Sequence, residues 1–402
     1  MTALAEPTER VPARWTALFS LAGLGLFTAF YGPIQVLLGK QAQALAPDDK
    51  ELALGLVVGL GAATSLVANP VFGAISDRTT WRLGRRLPWT AFGAAGGAVS
   101  LVVLAMAPNI AVMAVGWCLA QLTLNAMLAA LVAAVPDQVP HAQRGMVGGW
   151  IGVGQTLGIV VGSGIAAVVG GIAAGYLVCA MFLVVATLPY LGLRRDTVIE
   201  VRPPFHWRAF WISPRRYPDF GWAWLTRFLM NLGNAIAIVY LLYFLQDAVR
   251  YADPDGGVFV LTAIYAATLL STVVISGMWS DRVGRRRVFV CGAGMVMSAA
   301  ALLLAAFPTW SGALVAAAVL GLGFGVYTSV DFALMTEVLP KAGDRGKDLG
   351  VINVANALPQ VLAPVLAAPI VTYLGGYPVL YGLAAVVGVA GAVLVYRIRS
   401  VA

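Results

Sequence analysis

The chain has 402 residues, of which 60% are hydrophobic and 11% charged, against the roughly 25% charged residues of an ordinary soluble domain. That composition excludes a soluble globule: at about 20 apolar residues per crossing, the chain holds about ten to twelve membrane spans with no room for a sizeable extramembrane catalytic domain. The net charge of +8 comes from 26 Lys and Arg against 18 Asp and Glu, and in a membrane chain such an excess marks cytoplasmic loops rather than a nucleic-acid partner.

In chain order, Glu6, Glu9 and Arg10 precede Arg14, which opens a first span ending near Leu38 with no small-residue cleavage site. This reads as a retained helix rather than a signal peptide. Apolar runs bounded by charge or Gly/Pro clusters then predict twelve helices, near 15–38, 52–75, 88–107, 110–135, 146–169, 172–193, 220–246, 258–278, 288–307, 312–338, 348–373 and 377–396. Pro108-Asn109, Gly170-Gly171 and Gly375-Gly376 make very short turns on one side. The long connection 194–219, with Arg194, Arg195, Arg202, Arg208, Arg215 and Arg216, is predicted as a basic linker between halves 1–193 and 220–402. A short interfacial helix around Trp207 to Trp211 is the alternative to a solvated loop there. Cys118, Cys179 and Cys291 sit apart in apolar runs, as small hydrophobes rather than metal ligands or disulfide partners.

Charge sets the expected orientation. With the N-terminus cytoplasmic, 22 of the 26 Lys and Arg fall on the cytoplasmic side; Lys40, Lys50 and Arg250 fall opposite, and Arg227 lies within a span. Both termini are therefore expected to be cytoplasmic, in a multi-pass protein of the plasma (inner) membrane.

The two halves repeat. Gly73-Ala-Ile-Ser-Asp77-Arg78 followed by Gly84-Arg85-Arg86 returns as Gly277-Met-Trp-Ser-Asp281-Arg282 followed by Gly284-Arg285-Arg286-Arg287. Independently, Pro136-Asp137-Gln-Val-Pro140 with Arg144-Gly145 returns as Thr336-Glu337-Val-Leu-Pro340 with Arg345-Gly346. Gly149, Gly152 and Gln155 line up with Gly350, Asn353 and Asn356. The second half is thus a parallel copy of the first, an arrangement in which substrate sites form between repeats near the bilayer midplane.

Gly-x-x-x-Asp-Arg with Gly-Arg-Arg after helix 2, repeated after helix 8 of twelve, resembles the major facilitator superfamily over the whole chain. The stretch Val135 to Gly145 and the later Val330-Asp331-Phe-Ala-Leu334 with Val338-Leu339-Pro340 are similar to the sugar:cation symporters, the glycoside-pentoside-hexuronide and sucrose:proton branches. The resemblance implies an all-α polytopic fold of two pseudo-symmetric six-helix bundles whose helices 1, 4, 7 and 10 line a cavity. It also implies gating by the charged turns, here Asp77, Arg78, Arg85, Asp281 and Arg282, with Asp77 facing the start of helix 11 at Lys347 to Leu349. The other reading is that the arginines merely hold topology.

Polar side chains inside a span are costly unless they pair or line water. Helix 7 carries Arg227, Asn231 and Asn234 on one face, helix 10 Tyr327 and Asp331, helix 1 Thr28, Tyr31 and Gln35, helix 4 Gln121 and Asn125, helix 8 Tyr265, Thr268 and Thr272, and helix 11 Asn353, Asn356 and Gln360. Substrate contact is expected from Tyr31, Gln35, Gln121, Asn125, Asn231, Asn234, Tyr327, Asn356 and Gln360; interhelical hydrogen bonds are the alternative for each amide. Asp331 is the one acid well inside a span. At about 1.5 Å per residue, it and Arg227 both lie roughly 10 to 14 Å from the cytoplasmic ends, so they are expected to meet, either as a proton-coupling pair or as a permanent structural one. Helix 2 offers Ser65 and Asn69, and helix 4 only amides, where melibiose-type members of the resembled group carry sodium-binding acids.

The expected function is a monomeric secondary transporter without cofactor or metal. It would import a small polar solute, a sugar or glycoside, by proton-coupled alternating access. The alternative is a multidrug or lipid exporter, although the Gly-rich helix 5 lacks the Gly-Pro pair usual in drug:proton antiporters. A membrane enzyme is disfavoured because His141 and His206 are both expected in loops, with a single embedded acid.

Overall fold

In hydrocarbon every backbone N–H and C=O must be satisfied within its own segment, so apolar runs of this length fold as helices. The computed structural model describes residues 7–193, 196, 217–338 and 345–400. The side chains of 141, 142, 145, 274, 277, 278, 281, 332, 333, 336, 337, 345–353 and 357 also lie outside the described set. The linker around Trp207 to Trp211, expected as a solvated loop with a short helix as the alternative, and the loop position of His206 fall outside it too.

Among the described residues all regular structure is helical. α1 is Ala13–Leu45, with a π-turn at Pro33–Leu37. It is followed by α2 Lys50–Asp77, α3 Leu87–Ala105, α4 Ile110–Gln138, α5 His141–Val169 and α6 Ile172–Leu191. α7 is Pro218–Val239, continued after a 42° bend by Leu241–Ala248. α8 Pro254–Val283, α9 Arg286–Ala306, α10 Trp310–Val338, α11 Arg345–Tyr373 and α12 Gly376–Leu394 complete the chain. Eleven of these helices are long and apolar enough to cross a membrane, and the bent α7 makes a twelfth if it is one span. His141, expected in a loop, instead opens α5.

Turn chemistry sets the boundaries. The Asn109 carboxamide caps α4 by accepting from Val112 N at 3.0 Å, Asp253 caps α8 by accepting from Gly256 N at 3.1 Å, and Thr309 caps α10 through Gly312 N at 3.1 Å. At the other ends, α5 and α8 stop at Gly170 and Gly284 with φ of 69° and 67°, a conformation that costs glycine little. α11 runs unbroken through Pro359, Pro364 and Pro369.

The residues gather into two compact units, Met1–Pro47 with Leu60–Phe205 and Asp48–Gly59 with His206–Ala402. In the first, α1 packs on α5 and α6, and α3 on α4 and α6. In the second, α7 packs on α11 and α12, and α9 on α10 and α12, the same graph shifted by six helices, with α8 against α10. The first turns of α2 group with the second unit, through Gly55 against Ala368 and Pro364 and the Tyr240 hydroxyl on the Glu51 carbonyl at 2.6 Å.

Small residues let helices approach closely. A Cβ at Gly162 of α5 would lie 2.5 Å from the Gly32 nitrogen of α1, and one at Gly158 would lie 2.5 Å from Phe27 Cβ. A buried polar tie completes this unit. Tyr176 of α6 donates to Gln41 Oε1 at 2.9 Å, and Gln41 Nε2 donates to the Leu104 carbonyl at 2.7 Å, satisfying an acceptor at the end of α3.

Gly162→Leu is therefore expected to lower thermal stability in detergent by about 1–3 kcal/mol through overpacking. Gly148→Leu on the same helix, where a Cβ meets nothing within 4 Å, is expected to melt with the parent; melting curves of both variants check the pair.

Candidate functional site

In the second unit, α7, α10 and α11 bring five of the sequence-predicted residues together. Arg227 Nη1 donates to Asp331 Oδ2 at 2.5 Å and Nε donates to Asn356 Oδ1 at 2.8 Å. Asn231, one turn along α7, donates through Nδ2 to the Arg227 carbonyl at 2.8 Å and reaches Tyr327 Oη and Asn356 Oδ1, each at 3.4 Å. Tyr327 stands one turn before Asp331, on the same face of α10. The side chains of Arg227 and Asp331 are 15% and 4% exposed. In a medium this apolar neither charge stands alone; removing one partner would strand the other at a cost of several kcal/mol. Asn234 is buried further along α7 with its Oδ1 unpartnered, and Gln360 is exposed on α11. Neither is drawn into the cluster, and the Asn353 side chain lies outside the described residues.

The first unit holds a smaller set of amides. Asn125 Nδ2 donates to the Gln121 carbonyl at 2.8 Å and to Gln121 Oε1 at 3.1 Å, while Asn69 Nδ2 of α2 donates to Asn125 Oδ1 at 3.3 Å. Tyr31 accepts from Gln155 Nε2 at 3.0 Å, and Gln35 is half-buried in the π-turn. Trp117, one turn before Gln121, is fully buried with its Nε1 unpartnered, against Gly61.

At the turn from α2 to α3 the expected gating residues join others to which sequence reading assigned no role. Arg85 clasps both oxygens of Asp137 on α4, with Nε at 2.9 Å from Oδ2 and Nη2 on Oδ1. Arg86 is the hub: Nε donates to Asp137 Oδ2 at 2.7 Å, Nη1 to Ser76 Oγ at 2.5 Å and Nη2 to Asp77 Oδ1 at 2.6 Å. Burial disfavours the Arg86 cation, but Asp137 and Asp77 outweigh it and raise its pKa above the ordinary arginine value. The carboxylate that caps a helix here is Asp196, which accepts from the backbone of Arg86 at 2.6 Å and Leu87 at 2.8 Å. Gly84, with φ of 98°, passes beneath it, where a Cβ would collide with that carboxylate. Arg78 and Arg282 are exposed. The side chains of Asp281 and of Lys347 to Leu349, including the expected contact of Asp77 with α11, lie outside the described residues.

The repeat held a signal for Asp137: Glu337 keeps an acid at the matching position of the half that carries another run of arginines, Arg285 to Arg287. Asp196 offered none, since it follows Arg194 and Arg195 and reads as linker. A further cluster was also missed at the head of α2. Lys50 Nζ donates to Asp247 Oδ1 at 2.7 Å and lies 4.9 Å from the Tyr243 ring centroid, and Tyr377 donates to Asp247 Oδ2 at 2.8 Å.

The sequence model of the Major Facilitator Superfamily matches residues 15–271 and 254–402. The chain is 24% identical over 309 residues to the class G tetracycline resistance protein of Vibrio anguillarum, covering 74% of this chain and 75% of that one. It is 27% identical over 128 residues to the multidrug resistance protein MdtL of Shewanella oneidensis and spans only 32% of that relative's length. Among solved structures it is similar in fold to a mutant of the nucleoside transporter NupG, with a TM-score of 0.76 at 13% identity over 96% of this chain and 99% of the other. None of these three carries the name of a sugar:cation symporter, the narrower branch that the motifs resemble.

Asp137→Asn would leave Arg85 and Arg86 buried without their shared carboxylate, so it is expected to destabilise by about 3–5 kcal/mol. Asp77, 54% exposed, is screened by solvent, and Asp77→Asn should cost far less. Thermal unfolding of both purified variants measures the contrast, and equal melting points would contradict it.

Proposed function

We propose, from the premise that this chain belongs to the major facilitator superfamily, that it is a proton-coupled secondary transporter of a small polar organic solute. The observation that carries this reading is the Arg227–Asp331 pair, held at 2.5 Å inside apolar helices and framed by Asn231, Tyr327 and Asn356. A structural tie between helices would need no ionisable group, and membrane carboxylates are a recurring proton carrier. Asp331 takes and releases the proton; Arg227 governs which state of Asp331 is tolerated. The amides of α4, α7 and α11 suit hydroxyl groups, which supports a sugar or glycoside. Efflux of a larger, less polar compound is the second reading, favoured by the tetracycline and multidrug resistance proteins among the relatives.

Alternating access would proceed by rocking of the halves 1–193 and 220–402, with the linker 194–219 and both termini cytoplasmic, as the distribution of Lys and Arg supports. The charged turns, Asp77, Arg78 and Arg85 in one copy and Asp281 and Arg282 in the other, act as gates. Arg85 and its partner Asp137 hold the first gate together.

In liposomes with an imposed pH gradient, a panel of radiolabelled sugars and cationic dyes separates import from efflux. Whichever compound is moved, Asp331→Asn should abolish gradient-driven movement to the level of empty liposomes; undiminished accumulation would sink the coupling role.

A further inference from the structure

Charge balance at the same pair narrows the solute class, and this deduction rests on the coupling reading above. Asp331 is the one anion bonded to Arg227 among the described residues. The rest of the cluster is rich in donors. Arg227 has five N–H groups, of which Nη1 is directed at Asp331 and Nε at Asn356 Oδ1. Asn231 turns its Nδ2 toward Asn356 and Tyr327, whose hydroxyl is a further group able to donate. Once Asp331 takes up a proton, it loses its negative charge while the guanidinium keeps its positive one. The acceptors then left to Arg227, the carbonyl oxygen of the protonated Asp331 and Asn356 Oδ1, are both neutral. A guanidinium 15% exposed and without a counterion carries a heavy penalty.

We infer that protonation of Asp331 hands Arg227 to an anionic group on the solute, so that the protein carries a monovalent organic anion together with one proton. The step conserves charge: the cluster sums to zero with Arg227 and ionised Asp331, and again to zero with Arg227, the solute anion and neutral Asp331. No bond other than O–H forms or breaks. A carboxylate suits the fork of Arg227, which presents parallel N–H donors, and Asn231 and Asn356 supply amide donors for oxygens beside it. A phosphate monoanion shares that chemistry. A cation does not, because it would meet Arg227 at the same place. Transport of one monovalent anion with one proton is electroneutral, responding to a pH gradient and not to membrane potential.

The test uses acetate in place of the lost carboxylate, on the full-length protein in detergent. In Asp331→Ala, sodium acetate is expected to raise the melting temperature by several degrees over sodium chloride at equal ionic strength. It should do little to the parent, whose Arg227 is already occupied, or to the double variant Arg227→Gln/Asp331→Ala. Sodium phosphate is run alongside: stabilisation by phosphate alone would keep the anion site and reassign its ligand. Where the alanine variant fails to fold, Asp331→Asn is measured instead. No anion-specific shift in a folded single variant, or an equal shift in the double variant, overturns the inference. If pH-driven transport of a neutral or cationic solute still depends on Asp331 while acetate has no effect, proton coupling stands and the anion class falls.

Discussion

A charge among apolar helices must have its counter-charge within reach, because lipid and packed side chains supply neither water nor salt to screen it. With 11% of residues charged, this chain places few charges where that rule bites. Arg227 and Asp331 satisfy one another from separate helices, α7 and α10, and α11 adds Asn356. The pair is therefore also a constraint on packing: those three helices are held in the register that keeps the guanidinium and the carboxylate in contact.

The charged turn between α2 and α3 applies the same rule nearer the surface. Arg85 and Arg86 are both buried, and the carboxylate they share, Asp137, comes from α4. Asp196 holds the first amides of α3 from beyond α6, over a glycine that leaves it room. Four segments thus converge on two guanidiniums and the helix start beside them. A motif that reads as a local signature is a tertiary junction, with half of its ligands far away in sequence.

The legible part of the site was the part set by scarcity. Polar residues inside a span are few, so helical spacing put Arg227 and Asn231 on one face, and a matching depth made Asp331 the natural partner of Arg227. Asn356 came from the polar stripe of helix 11. Asn234 and Gln360 had the same claims by residue type and spacing, yet they stand apart from the cluster, because spacing fixes a face of a helix and not what lies opposite. Asp196 and Lys50 were unreadable for a related reason: each sits beside a helix end among other charges, where composition is ordinary and only the path of the chain selects a partner.

By itself, then, the sequence determined that the chain is helical and membrane-spanning, roughly where each span begins and ends, and that its second half copies its first. Those properties follow from hydropathy, turn chemistry and repetition along one dimension. The tertiary structure decided which charges are paired, that the first turns of α2 group with the second unit, and that a carboxylate from beyond α6 caps α3. Such choices depend on distances between segments remote in sequence. A buried charge accepts whichever counter-charge the packing brings within about 3 Å, and that distance is set by the fold.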